Sequence, residues 1–159
     1  MTGRLPPVLC LGLAMIAAAA GGQRAAAQSP CTGPESATRL YVTVEGVHAA
    51  QGLIAVTLYP DDSSRFLARR GSLYVGRAPA RSPVTRICIH LPRPGTYALG
   101  IYHDADASRR FNRTGLGLPA EGYGFSNNPA VLLGLPRFRS VRLAVPRTDM
   151  ETRVRLRYP

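Results

Sequence analysis

The sequence predicts an all-β protein, folded as an antiparallel sandwich of seven strands with one long ordered loop. Three observations lead to this prediction. Apolar and polar residues alternate at period 2 in short runs, which is typical of half-buried strands. Clusters of Gly, Pro, Asp and Ser bound these runs. No segment repeats its apolar residues convincingly at the spacing of an amphipathic helix.

The N-terminal residues 1–27 are predicted to be a secretory signal peptide rather than part of the fold. Arg4 precedes an apolar run, Val8 to Ala20, and small residues end at Ala27 in an A-x-A pattern. The run is shorter than the roughly 20 residues that span a bilayer. We therefore expect no transmembrane segment after cleavage, and a periplasmic or secreted bacterial protein. Residues 28–37 are expected to be a flexible segment, and residues 38–159 the β-sandwich domain.

Two cysteines, Cys31 and Cys88, remain after the signal peptide. In an oxidising compartment an even pair indicates a disulfide, which is the pairing we predict. The alternative is two buried thiols. Neither cysteine has a second cysteine or a histidine at zinc-ligand spacing, which argues against a metal site here.

Seven segments of the chain alternate as strands. In the first, Leu40, Val42 and Val44 share one face. Pro79 indicates that the third strand lies at an edge, because proline cannot donate to a ladder. A helical turn with an Asp or Ser cap is expected within residues 60–71. The predicted strands are residues 38–45, 53–59, 72–80, 84–91, 96–104, 140–145 and 152–158.

The basic charge is carried entirely by arginine. Removal of the leader leaves 18 arginines against nine carboxylates. Nucleic acid is not expected as a partner, because the chain is exported and its arginines are scattered rather than clustered with aromatics. An envelope protein or an anionic polymer is the partner that this charge favours. The alternative is a solvated basic surface without a specific partner.

The segment between Asp104 and Val141 is long for a loop of a compact sandwich, and such loops are usually functional or disordered. Its apolar residues and glycines indicate an ordered excursion. Polar residues concentrate there, so we expect a non-catalytic binding or structural face in this region. The residues expected to form that face are His103, Asp104, Asp106, Glu121, Tyr123, Phe125, Asn127 and Asn128.

A calcium-stabilised module is one alternative function. Asp104, Asp106 and Ser108 have the i, i+2, i+4 spacing of oxygen ligands in calcium loops. Arg109 and Gly115, however, stand where such a loop requires glycine and a bidentate glutamate. The competing interpretation is a polar loop in which Asp104 or Asp106 forms salt bridges with nearby arginines. No other cofactor is expected.

A hydrolase is the other alternative. It would use His103 as a general base and Glu121 as a second acid. The chain has no G-x-S-x-G, S-x-x-K or H-E-x-x-H motif, and its mature cysteines are expected to be structural. We therefore predict that the protein is not an enzyme.

The stretches LYVTVEGV, IAVTLYP, LPRPGTYALGIYHDADASRRFN and GLPAEGYGFSNN together resemble the bacterial exported family called domain of unknown function 2141. The segment LPRPGTYALGIY also resembles transthyretin-like and immunoglobulin-like modules. The resemblance implies a β-sandwich in the periplasm or outside the cell, without an established activity. Family members carry an H-D-x-N-x-N-G-x-x-D type of loop. Here Asp106, Ser108, Arg109 and Asn112 replace its last four defined positions, which argues against a calcium role.

Overall fold

The computed structural model describes residues 2–3, 30–131 and 135–159. The predicted signal peptide lies outside the described residues, apart from residues 2 and 3. The elements are β1 (Thr38–Glu45), β2 (Leu53–Pro60), β3 (Tyr74–Pro79), β4 (Val84–Leu91), β5 (Gly95–Asp104), β6 (Tyr123–Phe125), α1 (Phe138–Val141), β7 (Arg142–Val145) and β8 (Met150–Arg155). Within this part of the chain, no helix is long and apolar enough to cross a membrane.

The strands form two sheets. A three-stranded sheet has the order β4-β1-β8, and a five-stranded sheet has the order β3-β2-β5, with β6 and β7 both paired to β5. The all-β class is confirmed, and two facing sheets are compatible with the immunoglobulin-like and transthyretin-like architecture. The prediction of a wholly antiparallel sandwich is wrong, because β8 runs parallel to β1 while β4 runs antiparallel to it. Alternation at period 2 specifies the buried face of a strand but not its direction.

The strand count of seven is also wrong for the described residues, which form eight strands. The additional strand, β6, lies inside the predicted long loop. Three residues are too short to show an alternating pattern, and β6 is defined by long-range hydrogen bonds to β5. Tyr123 also exchanges two backbone hydrogen bonds of 2.8 Å with Arg157, which follows β8. This pair joins the two sheets along one edge.

The main hydrophobic core lies between the sheets. The alternation in β1 is confirmed, since Leu40, Val42 and Val44 are buried, and β8 buries Val154 while exposing Arg153 and Arg155. Each fully buried aliphatic side chain contributes about 1.5–3 kcal/mol relative to exposure. Other members of this core whose side chains are fully buried are Ile54, Val56, Leu58, Ile89, Leu91, Leu99 and Ile101.

The N-terminal segment before β1 contacts β4. Cys31 and Cys88 form a disulfide, as predicted, with their Cα atoms 4.4 Å apart. The amide of Thr32 donates to the Cys88 carbonyl at 2.9 Å, and the amide of His90 donates to the Thr32 carbonyl at 3.0 Å. These contacts attach residues predicted to be a flexible segment to the edge of the three-stranded sheet.

The outer face of the five-stranded sheet carries a second, smaller hydrophobic cluster. Tyr59, Ala98, Phe125 and Val141 form it, and Phe66 packs against them. Phe66 belongs to the tight turn after β2, where Asp62 accepts the amide of Ser64 at 2.8 Å and so caps the expected turn. Side chains outside the sandwich therefore cover part of this face.

Candidate functional site

The residues predicted to form one binding face do not all lie on one side of the sheet. At the end of β5 they alternate between its two sides, because neighbouring residues of a strand point in opposite directions. Odd-numbered core residues of β5, such as Leu99 and Ile101, face the three-stranded sheet, and His103 continues that side. Asp104 belongs to the outer side with Gly100 and Tyr102. The structure therefore places the His103 side chain on the opposite side of the sheet from Asp104, with which it was predicted to share a site.

His103 is buried and both of its ring nitrogens are engaged. Nε2 lies 2.7 Å from the carbonyl oxygen of Gln51, and Nδ1 lies 2.8 Å from the Tyr158 hydroxyl. A carbonyl only accepts, so in the neutral ring Nε2 carries the proton and Nδ1 accepts from Tyr158. The same hydroxyl accepts from the amide of His48 at 3.2 Å. A general base needs a nitrogen that can reach the substrate proton, and this geometry gives His103 no such nitrogen.

Three carboxylates do converge on the outer side. Asp104, Asp106 and Glu121 each offer an oxygen within 4.8 Å of the others. Asp104 is wholly buried and Glu121 nearly so, whereas Asp106 is exposed. Hard cations such as calcium take carboxylate and hydroxyl oxygens, so this cluster is the group of described residues that could hold one. Ser108 lies beside it, with its hydroxyl 3.3 Å from Asp104 Oδ1.

The hydrogen bonds of the cluster come from backbone and neutral side chains. Arg109 donates its backbone amide to Asp104 Oδ2 at 2.9 Å, and Asn112 donates its amide to Glu121 Oε2 at 2.9 Å. The Asn112 side chain also reaches Asp106 Oδ2 at 2.9 Å. The ion pairs among the described residues lie elsewhere, so the predicted salt bridges of Asp104 or Asp106 with arginine are not formed.

The ionisation of the cluster differs from residue to residue. Burial raises the pKa of Glu121 above its ordinary value, and the charges of Asp104 and Asp106 raise it further, although the amide of Asn112 opposes the shift. Hydrogen bonds from Ser108 lower the pKa of Asp106. The cluster therefore contains a buried carboxyl whose negative charge is disfavoured when no cation is bound.

Asn127 and Asn128 have structural tasks. Both adopt positive φ, 64° and 48°, which asparagine tolerates better than most residues. The side chain of Asn127 donates to the Arg142 carbonyl at 2.8 Å. Asn128 donates to the Arg153 carbonyl at 3.0 Å and accepts from the Arg155 amide at 2.7 Å. The two residues attach the end of β6 to β7 and β8.

Tyr123 and Phe125 line a cavity of about 330 Å³ on the outer face of the five-stranded sheet. The strands contribute the floor, and the segment after the carboxylate cluster contributes a wall. The strand residues that line the cavity, through side-chain or backbone atoms, are Thr57, Tyr59, Gly100, Ile101, Tyr102, Tyr123 and Phe125. The lining residues that lie outside the strands are Leu67, Phe111, Arg113, Gly117, Pro119 and Leu135.

Gly100 keeps the cavity floor open. It pairs with Thr57 on one side and Phe125 on the other, in the middle of the sheet. A Cβ atom added here would meet the Tyr59 ring at 3.5 Å, Leu67 at 3.9 Å and Phe125 at 3.9 Å. These are ordinary contact distances, so the missing side chain leaves space rather than relieving a clash.

The lining residues with polar side chains are Thr57, Tyr59, Tyr102, Tyr123 and Arg113. Burial raises the pKa of Tyr59 and Tyr102, so both phenols are neutral and can donate hydrogen bonds. The guanidinium of Arg113 lies 5.1 Å from the Phe111 ring centroid. Aromatic walls with a small number of polar groups are typical of small-molecule sites.

Sequence reasoning found Tyr123 and Phe125 but missed the rest of the cavity. A glycine inside a strand can mark the close approach of another group, so Gly100 was a usable signal. Phe111 and Arg113 gave no such signal, because only the folded path of their loop brings them over β5.

Comparison with known proteins gives one match. The model of a family described as uncharacterized protein conserved in bacteria (DUF2141) matches residues 42–153. This range runs from β1 into β8, and includes the carboxylate cluster and every residue named above as lining the cavity. No curated protein and no solved structure matches the chain. The chain therefore belongs to the bacterial family DUF2141.

Proposed function

We propose that this protein is an exported, non-catalytic binding module of the bacterial envelope, and that its ligand occupies the outer-face cavity. The observation that carries the proposal is a preformed space of about 330 Å³ with aromatic walls. Ligand sites commonly measure 300–1,000 Å³ and combine apolar walls with a few polar groups. The arrangement around Gly100 has both properties.

The structure of the cavity favours binding rather than a purely structural role. Filling the space with a larger residue at position 100 would add apolar contacts at ordinary distances. A protein selected only for stability gains from such filling, because well-packed interiors have few voids. An unfilled cavity next to Tyr59 and Phe125 therefore has a cost in stability, which a binding function explains.

Export is supported by the predicted signal peptide and by the disulfide. Disulfides persist in the periplasm and outside the cell, whereas the cytoplasm keeps thiols reduced. The Cys31–Cys88 bond is thus compatible with a periplasmic or secreted protein. In that setting the partners would be envelope components, in agreement with the arginine-rich surface.

A neutral fluorescent probe, N-phenyl-1-naphthylamine, tests the cavity directly. We expect saturable binding by the purified protein, and loss of that binding in Gly100→Val. Valine suits a strand and would occupy the floor of the cavity. Gly95→Val is the matched control, because Gly95 belongs to the same strand but does not line the cavity, and the three atoms nearest to its added Cβ all belong to Tyr97.

The two variants separate the outcomes. Retained probe binding in a folded Gly100→Val protein contradicts the proposal, as does an absence of saturable binding in the parent. Equal loss in both glycine variants would also contradict it, because the effect would not depend on the cavity.

A calcium-stabilised module is a second candidate, favoured by the convergence of Asp104, Asp106 and Glu121 within 4.8 Å. A cation bound only by the native state must raise the melting temperature by mass action. We expect calcium to raise the melting temperature of the parent relative to chelator, and Glu121→Gln to abolish that increase. Gln retains an oxygen acceptor for the Asn112 amide but removes a charge. Identical parent melts in millimolar calcium and in chelator would eliminate this candidate.

A further inference from the structure

We propose that the ligand of the outer-face cavity is a free amphiphilic carboxylate, with its apolar chain in the cavity and its carboxylate on Arg113. This inference rests on the proposed binding function and identifies the chemistry of the ligand. Three features carry it: the apolar rim, the charge in the wall, and the way in which that charge is held.

The rim of the cavity concentrates exposed apolar side chains. Leu67 and Leu135 line the cavity and are 40% and 54% exposed, although leucine is usually buried. Leu116 and Leu118 lie on either side of the wall residue Gly117 and are 89% and 50% exposed. Of the six large hydrophobic residues exposed among the described residues, two therefore line the cavity and two more adjoin its wall residue Gly117 in sequence. Such clustering marks a surface that binds an apolar partner.

Arg113 contributes the only formal charge among the described residues of the cavity wall. Its ion-pairing capacity is unused there, because no carboxylate of the described residues lies within salt-bridge distance of it. The acidic cluster does not compete for it, since its three carboxylates accept the local hydrogen bonds described above. A guanidinium recognises a carboxylate through two parallel hydrogen bonds, which suits a ligand with one anionic end.

Arg113 is also held in position before any ligand arrives. Its Nη1 donates to the carbonyl of Gly117 at 2.9 Å, and its guanidinium lies against the Phe111 ring. This bond uses one of five N–H donors, so the others remain for an anion. A fixed side chain loses less entropy on binding than a mobile one, which favours affinity.

An apolar chain fits these walls better than a sugar does. A sugar would bring hydroxyls against the Phe111 and Phe125 rings, which carry no donor or acceptor group, and buried polar groups without partners are costly. A chain of methylenes is stabilised by burial against such walls, because each CH₂ removed from water makes transfer more favourable. The sheet floor and the 111–119 wall enclose one such chain.

Displacement of N-phenyl-1-naphthylamine tests the inference with three matched amphiphiles: dodecanoate, dodecanol and dodecyltrimethylammonium, each below its micellar concentration. We expect dodecanoate to displace the probe at the lowest concentration. Arg113→Gln should weaken dodecanoate about tenfold, equivalent to about 1.4 kcal/mol, and leave dodecanol unchanged. Arg110→Gln is the matched control, an exposed arginine of the same loop that does not line the cavity.

The probe is neutral, so its own binding to Arg113→Gln shows that the cavity is intact. If the probe binds the parent but dodecanoate competes no better than the cationic amphiphile, the inference is wrong and the binding function stands. Loss of dodecanoate preference equally in Arg110→Gln would also overturn it. Cosedimentation with phosphatidylglycerol vesicles without displacement by free dodecanoate would contradict a free ligand. Failure of the probe to bind the parent would instead contradict the binding function itself.

Discussion

Asn128 is predicted to be the main attachment between the segment after β6 and the edge of the three-stranded sheet. Its side-chain amide donates to the Arg153 carbonyl and accepts from the Arg155 amide, at 3.0 and 2.7 Å. The side chain thus replaces the peptide group of a neighbouring strand. Its φ of 48° lies in the left-handed region, where residues with a Cβ are strained.

Three substitutions separate these contributions. Asn128→Asp keeps the acceptor and loses the donor, and one hydrogen bond contributes about 1 kcal/mol. Asn128→Gly loses both bonds but suits the positive φ, so we expect a loss of about 2 kcal/mol. Asn128→Ala loses both bonds and adds backbone strain of roughly 1 kcal/mol, for a total of about 3 kcal/mol.

Urea unfolding, followed by far-UV circular dichroism, measures these free energies of unfolding. We expect the free energy of unfolding to decrease in the order parent, Asn128→Asp, Asn128→Gly, Asn128→Ala. An Asn128→Gly protein within about 0.5 kcal/mol of the parent would refute the reasoning, because that is the range of ordinary surface substitutions. Equal losses of stability in Asn128→Gly and Asn128→Ala would refute only the contribution assigned to backbone strain.

Three further predictions concern charge, the disulfide and close packing. Because the pKa of Glu121 is raised, the native state binds its proton more tightly than the unfolded state does. In the presence of chelator, the free energy of unfolding should therefore fall as pH rises from the ordinary glutamate pKa of 4.5 through the raised pKa of Glu121. Glu121→Gln should flatten this part of a melting-temperature profile, and an unchanged slope would contradict the assignment. Replacement of Cys31 and Cys88 by serine opens a bridge with a sequence separation of 57 and should cost roughly 4 kcal/mol, measured in urea. Gly122→Ala places a Cβ 2.4 Å from an aromatic ring and should lose about 1–3 kcal/mol, whereas Gly115→Ala, with no atom within 4 Å, should lose almost nothing in the same assay.

Local chemistry in the sequence predicted much of the fold. The buried face of β1 followed from alternation, because burial on one side of a strand repeats every second residue, and β8 shows the same pattern. The positive φ of Asn127 and Asn128 agrees with their residue type, because asparagine tolerates the left-handed region better than most residues. The disulfide followed from an even number of cysteines, since two cysteines allow only one pairing.

The glycines near β6 show a limit of such reasoning. Glycine commonly serves positions with positive φ, yet Gly122 and Gly124 do not adopt it. A Cβ at Gly124 would lie 2.7 Å from the Arg155 carbonyl, so glycine is required there by the approach of another segment. The sequence shows that position 124 is glycine, but it does not show which neighbouring segment leaves no room for a side chain there.

The candidate site was predicted only in part, for the same reason. Asp104 and Asp106 were paired from their spacing, and Glu121 joins them through its contacts with Asn112. His103 was placed with them because it adjoins Asp104 in sequence. The alternation of β5 sends it to the other side of the sheet, a consequence that was already readable from the pattern of that strand.

The sequence by itself determined the all-β class, the buried faces of the main strands, the pairing of the two cysteines and the residues that turn the chain after β6. These properties depend on single residues or on near neighbours. Only the tertiary structure decided that β8 runs parallel to β1, that Glu121 reaches the two aspartates, and that Gly100 opens a cavity beneath Phe111 and Arg113. Those arrangements depend on hydrogen bonds and packing between distant segments, which no local pattern specifies.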